Sequence, residues 1–146
     1  MANVYSFLNI GCTLASPGGI LNLASGASVA EEGITIEAAT DKNVMTIGAD
    51  GNGQHSLVAD DSATITVRLL KTSPLNQALM LMYDLQTSSS SLWGQNIITV
   101  IDSARNDFTV SQQCAFKKKP TITYAKEAGM MEWTFDVIKA SSILGS

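Results

Sequence analysis

The run Ser62-Ala63-Thr64-Ile65-Thr66-Val67-Arg68-Leu69-Leu70 changes between apolar and polar at almost every step. In an extended chain this sets Ile65, Val67 and Leu69 on one face and Thr64, Thr66 and Arg68 on the other, the pattern of a strand with one side on a core. The pattern returns in Met131 to Ile138, where Trp133, Phe135 and Val137 oppose Glu132, Thr134 and Asp136. Asn96 to Ile101, Phe108 to Phe116 and Thr121 to Tyr124 are further strand candidates, rich in β-branched and aromatic residues.

Upstream, Gly33-Ile34-Thr35-Ile36-Glu37-Ala38 and Asn43-Val44-Met45-Thr46-Ile47-Gly48 also alternate, with Thr40, Asp41 and Lys42 between them. Their closeness predicts a β-hairpin. Asp50-Gly51-Asn52-Gly53 predicts a tight reversal into Gln54 to Val58, because Gly and Asn tolerate left-handed backbone. Near the start, Val4, Leu8 and Ile10 share one face and Tyr5 and Phe7 the other, so this strand is expected to be covered on both sides. Ser16-Pro17-Gly18-Gly19 suits a type II turn, with Ile20 to Leu23 returning beside the first strand.

One helix is predicted, over about residues 74–86. Ser73 is placed to cap it, and Pro74 fits the first helical position, where no amide donor is needed. Leu75, Leu79, Met82 and Leu85 form its inner stripe, while Met80, Leu81 and Tyr83 widen the apolar surface. Either a second contact or deep burial would account for the extra width. A serine-rich, flexible loop is expected over about residues 87–94, too short to separate domains. Residues 1–146 therefore read as a single, mainly β domain: two packed antiparallel sheets or a partly closed β-barrel with one flanking α-helix.

Composition narrows the function. The chain has 146 residues, 45% apolar and 15% charged, enough to bury a core and too apolar for wholesale disorder. Nine basic against 13 acidic side chains give a net charge of −4, which argues against gripping a duplex by its phosphates. The longest apolar run, Ala78 to Tyr83, is far short of the roughly 20 residues of a membrane helix. No Lys or Arg precedes Lys42, so the apolar start lacks the basic region of a signal peptide. Cys12 and Cys114 are too few for a disulfide framework and read as buried thiols.

No catalytic, cofactor or metal set emerges from the motifs. His55 is the only histidine, and no motif frames either cysteine as its partner. Asp50, Asn52 and Gln54 resemble the start of a calcium loop, but His55 stands at the required glycine and no closing Glu follows. Glu31/Glu32 and Asp60/Asp61 are adjacent acids that point to opposite faces of a strand, a poor arrangement for glycoside chemistry. Charge is instead distributed by region. Residues 1–30 carry none, 31–61 carry seven acids against Lys42 for a net of −6, and 62–146 carry eight bases against six acids for +2. Opposed patches on one subunit permit head-to-tail contacts that close into rings or continue as filaments.

Several stretches are specific enough to resemble a known family: Val29-Ala30-Glu31-Glu32-Gly33-Ile34-Thr35-Ile36-Glu37, Met45-Thr46-Ile47-Gly48-Ala49-Asp50-Gly51, Val67-Arg68-Leu69-Leu70-Lys71-Thr72-Ser73-Pro74 and Ala115-Phe116-Lys117-Lys118-Lys119-Pro120. Together they resemble the tail tube proteins of contractile-tailed bacteriophages and their prophage relatives, from the first strand to about Ile138. The resemblance implies a virion structural protein, made in the host cytoplasm and with no enzymatic or cofactor site. Six copies would form a ring with a shared inner β-barrel, and rings would stack into a tube. It also implies a sheath outside, a tape-measure protein inside, baseplate and tail-terminator proteins at the ends, and genomic DNA passing through without specific binding.

Under that resemblance Glu37 and Asp41 are the expected channel lining, since an acidic wall repels phosphate. Lys117, Lys118 and Lys119, together with Asp60, Asp61, Glu31 and Glu32, are expected at contacts between subunits or rings. Two alternatives stay open. A type VI secretion-like tube would share the architecture but deliver effectors, and genomic neighbours would distinguish it. A small-ligand-binding β-barrel would need a closed pocket with convergent polar groups and would remain monomeric.

Overall fold

The computed structural model describes residues 5–6, 9–17, 19–23 and 29–145, with backbone alone for 29–32. The predicted residues Val4, Phe7, Leu8 and Gly18 lie outside the described set. Nine strands and one helix occur among the described residues: β1 (Ile10–Ser16), β2 (Gly19–Asn22), β3 (Val29–Ala38), β4 (Asn43–Ile47), β5 (Gly53–Leu57), β6 (Ala63–Leu70), α1 (Leu75–Thr87), β7 (Asn96–Asp102), β8 (Asp107–Phe116) and β9 (Met130–Ile143). Seven strands form one antiparallel sheet in the order β2-β1-β7-β8-β9-β6-β3, and β4 and β5 form a separate two-stranded sheet. The fold is mainly β with one helix, and the large sheet does not close into a barrel.

β6 is the strand its alternation announces. Ala63, Ile65, Val67 and Leu69 are buried, and they register with Val137, Phe135, Trp133 and Met131 of β9. Cys12, Leu14, Ile98, Cys114 and Phe116 continue this inner face across β1, β7 and β8. Aromatic rings lock its centre: Phe116 lies 4.8 Å from Phe135 and meets Trp133 at 5.9 Å and Tyr83 edge-on at 5.5 Å. Along β8 the pairing with β7 shifts between Asn96 and Ile98, opposite Gln113, which has a positive φ of 54°. A bulge of this kind bends a strand, so the inner face can turn about a common core instead of remaining flat.

Three local expectations are corrected by the pairing. The segment Gly33–Ala38 does not form a hairpin with Asn43–Gly48: β3 pairs with β6, aligning Glu37 with Thr64, and β4 pairs with β5. The physical reason is turn chemistry. Gly51 supplies a φ of 90°, and Asp50 accepts hydrogen bonds from the amide of Asn52 at 3.1 Å and from its side chain at 2.9 Å. Thr40, Asp41 and Lys42 offer no comparable reversal, whereas β6 offers β3 buried partners. Gly33, buried at φ 61°, sits where the β3–β6 register shifts between Val29 and Ile34.

Thr121 to Tyr124 is not a strand. It follows the buried Pro120 as an exposed connection. Here Lys71 Nζ donates to the Thr123 carbonyl and lies 3.9 Å from the centre of the Tyr124 ring. The third correction concerns the helix. Its buried residues are Asn76, Leu79, Met82 and Gln86; Leu75 is half-buried and Leu85 is exposed. Two of the four anchors are therefore amides. Trp133 Nε1 donates to Asn76 Oδ1 at 3.0 Å, and Asn76 Nδ2 donates to the carbonyls of Leu70 and Lys71. Gln86 and Asn96 exchange two hydrogen bonds, at 2.8 and 3.0 Å, deep in the fold. The start falls one residue later than expected, with Pro74 at the cap position and no side-chain cap there; Ser73 Oγ, one residue upstream, accepts the Leu75 amide at 3.3 Å.

Candidate assembly surfaces

The outer face of the large sheet divides into two kinds of surface. On β3, β6 and β9, cross-strand register lines up Glu37, Thr64 and Asp136 in one row and Thr35, Thr66 and Thr134 in another. Arg68 then pairs with Glu132, with Nε to Oε2 at 3.1 Å. Glu37, Asp136 and Glu132 stand there against Arg68, with Lys118 bordering the Glu132 end. On β7, β8 and β9 the corresponding outward row is Ile101, Phe108 and Ile143, all exposed.

The sheet also ends in two edges, β2 and β3, neither of which is paired on its far side among the described residues. Such edges are templates for another chain. Beside β2, Ile20 and Leu21 face Ala78, Leu81, Met82 and Leu85 of α1 across an apolar groove of about 280 Å³. From the opposite end of the strand order, between β3 and β6, projects the β4–β5 arm, every residue of which is exposed. Its pairing puts Leu57, Met45 and Ile47 on one side, with His55 and Asn43 among them and Ile47 folded over Gly53. Val44, Thr46, Gln54 and Ser56 form the other side. The arm is thus amphipathic and has no partner surface within the described residues.

The root of the arm is fastened by the acids expected at subunit contacts. Thr40 Oγ1 donates to Asp60 Oδ2 at 3.0 Å, and the Ser62 amide donates to Asp60 Oδ1 at 2.8 Å. Hydrogen bonds from Ser62, then Thr40, with the nearby Lys42 charge, hold the Asp60 carboxyl below the ordinary carboxylate range. Asp61 pairs with Lys42 at 2.6 Å, and Lys42 Nζ also reaches the Val58 carbonyl at 3.2 Å. Both acids therefore work within the chain. Glu37 is exposed in the polar row and Asp41 is exposed at the arm root. Glu31 and Glu32 lie on β3, their side chains outside the described residues.

Lys117, Lys118 and Lys119 are exposed just after β8. Lys119 Nζ lies 5.9 Å from the centre of the Tyr83 ring, and Lys118 borders a surface cleft with Thr121, Thr123 and Glu132. His55 stands on the exposed arm, hydrogen-bonded to Asn43 at 3.1 Å, while both cysteines are buried in the body. Burial pushes the Cys12 thiol up to about 12 and the Cys114 thiol up to about 11. No group of three metal-binding side chains is present among the described residues. None of their helices is long and apolar enough to cross a membrane.

A model of the family described as bacteriophage PhiTE tail tube protein matches residues 1–145. This chain belongs to that tail tube family. The family is structural, a virion component that assembles with copies of itself into a tube. In fold the chain is similar to the anti-feeding prophage cap, described as the tube-terminating cap, solved by cryo-electron microscopy. That likeness has a TM-score of 0.58 and covers 99% of this chain and 95% of the cap at 10% identity. No curated protein sequence matches. Sequence reasoning named the family and the acids of the arm root. It read the Asp50-Gly51-Asn52-Gly53 reversal into Gln54 to Val58 but gave Asn43–Gly48 to Gly33–Ala38 as a hairpin partner, so the reversal was not seen as a separate projecting arm.

Proposed function

We propose that this chain is the inner tube subunit of a contractile phage tail. Six copies close into a ring through the edges β2 and β3, and rings stack around a channel that conducts the genome. The observation that carries this reading is the unclosed sheet: both edges hold backbone donors and acceptors that a neighbouring copy can complete, leaving no free border. The polar outer area with Glu37, Thr64 and Asp136 faces the channel, joined by Asp41 at its margin, and its carboxylates keep polyphosphate from adhering. Lys117 and Lys118 contact adjacent subunits or rings, with Glu31 and Glu32 as acidic partners. Asp60 and Asp61 take part indirectly, by setting the arm that meets the neighbour. Sheath, baseplate and terminator proteins bind the outside and ends, and a tape-measure protein fills the channel before ejection.

Negative-stain microscopy of the concentrated, purified chain tests this reading. Hollow rods of uniform diameter are the expected result, and a species that stays monomeric at every concentration overturns it. The likeness to a tube-terminating cap favours a second reading, a ring that ends a tube. Isolated rings that never stack would support that assignment.

A further inference from the structure

The arm and the groove beside α1 share an unusual property: neither contact face carries a formal charge. Residues 9–23 contain no Asp, Glu, Lys, Arg or His, and α1 contributes only Asp84 among these. Within the arm strands and their turn, residues 43–57, the only acid or basic group besides His55 is Asp50, placed at the tip. One surface projects and the other is concave. They stand at opposite ends of the strand order, and the groove is lined by β2 and α1 residues with no arm residue among them. A contact between them joins two copies heterologously, which propagates instead of closing on a pair.

We propose that the apolar face of the arm, Met45, Ile47 and Leu57, seats in the groove of a second copy, against Ile20, Leu81 and Leu85. The inference rests on the tube reading and names the contact that reading leaves open. Met45, Ile47 and Leu57 are 60%, 56% and 87% exposed, and Leu81 is 63% exposed, so both faces retain apolar area to bury. An isolated two-stranded hairpin is marginal in water, and a covering surface stabilises it. The rival seat is the row Ile101, Phe108 and Ile143. Ile101 and Phe108 adjoin the β7–β8 turn with Asp102, Arg105 and Asp107, where covering would also strip water from charges. The uncharged groove avoids that cost and adjoins the β2 edge used for ring closure.

Cross-linking tests the placement. Met45→Cys protein is mixed with Leu81→Cys protein at polymerising concentrations and oxidised mildly; the native thiols are buried and do not compete. The expected product is a disulfide dimer of unlike variants, absent when either is oxidised alone. Linkage of Met45→Cys to Phe108→Cys in its place overturns the proposal, as does the absence of any Met45–Leu81 link in rods visible by microscopy. In a second measurement, Met45→Asp and Leu81→Asp each raise the concentration needed for polymerisation by about tenfold or more, with urea midpoints unchanged. Unaltered polymerisation of both counts against the seat. Rods without the link refute this contact and leave the tube reading standing; no polymer under any condition refutes both.

Discussion

Strands β6 and β4 are built from the same kind of alternation and have opposite fates. Ile65, Val67 and Leu69 of β6 are fully buried, whereas Met45 and Ile47 of β4 lie open to solvent. Alternation therefore specifies an extended conformation and an apolar side, but not the location of what will cover it. For β6 the cover is β9, α1 and the aromatic centre of the same chain. For β4 and β5 no cover occurs among the described residues, in keeping with a protein that assembles with copies of itself.

The sharpest way to break the comparison is to truncate each region in turn. Phe135→Ala removes a ring packed against Phe116 and is expected to cost about 3–5 kcal/mol in urea unfolding. A loss near zero would mean that the aromatic centre is not the core. Gln86→Leu leaves the Asn96 amide buried without its partner and is expected to cost about 1–3 kcal/mol. The double change with Asn96→Leu should recover part of that loss. Met45→Ser and Leu57→Ser, by contrast, should leave subunit stability within about 0.5 kcal/mol of native. If either unfolds the subunit, the arm packs on its own body.

The smallest effect concerns the arm root. Asp60 has its folded pKa lowered, so its contribution is present above the unfolded value and is lost as pH falls through the folded one. The Ser62 amide should therefore show an NMR titration below the ordinary aspartate range. Asp60→Asn should abolish it without unfolding the body.

Much of the fold was legible because it depends on local patterning. β6 and β9 are written in alternation, and the helix start is marked to within a residue by Pro74. Partner choice is not local. Whether β3 joins β4 or β6 depends on which contact buries more apolar surface across distant residues, and a window of sequence cannot weigh that. The amides Asn76 and Gln86 were hidden for another reason: hydropathy counts them as solvent-seeking, although each is satisfied inside by named partners. Thr121 to Tyr124 has β propensity but finds no ladder, because the sheet edges are elsewhere. Charge density drew attention to Asp60 and Asp61 as contacts between copies, whereas the fold shows them bonded within the chain. Their role at the arm root follows only from the fold, which brings Thr40, Lys42, Asp60, Asp61 and Ser62 together.

Cys12 and Cys114 have a consequence for the whole assembly. Their sulfurs are walled off and their thiolates suppressed, so a maleimide reagent near neutral pH should label the native subunit negligibly and the urea-unfolded chain at two positions. A particle made of such subunits is insensitive to thiol redox chemistry at these two positions. Moving it from reducing to oxidising conditions forges no covalent rivets from Cys12 or Cys114 between neighbours, which leaves every joint there to non-covalent forces.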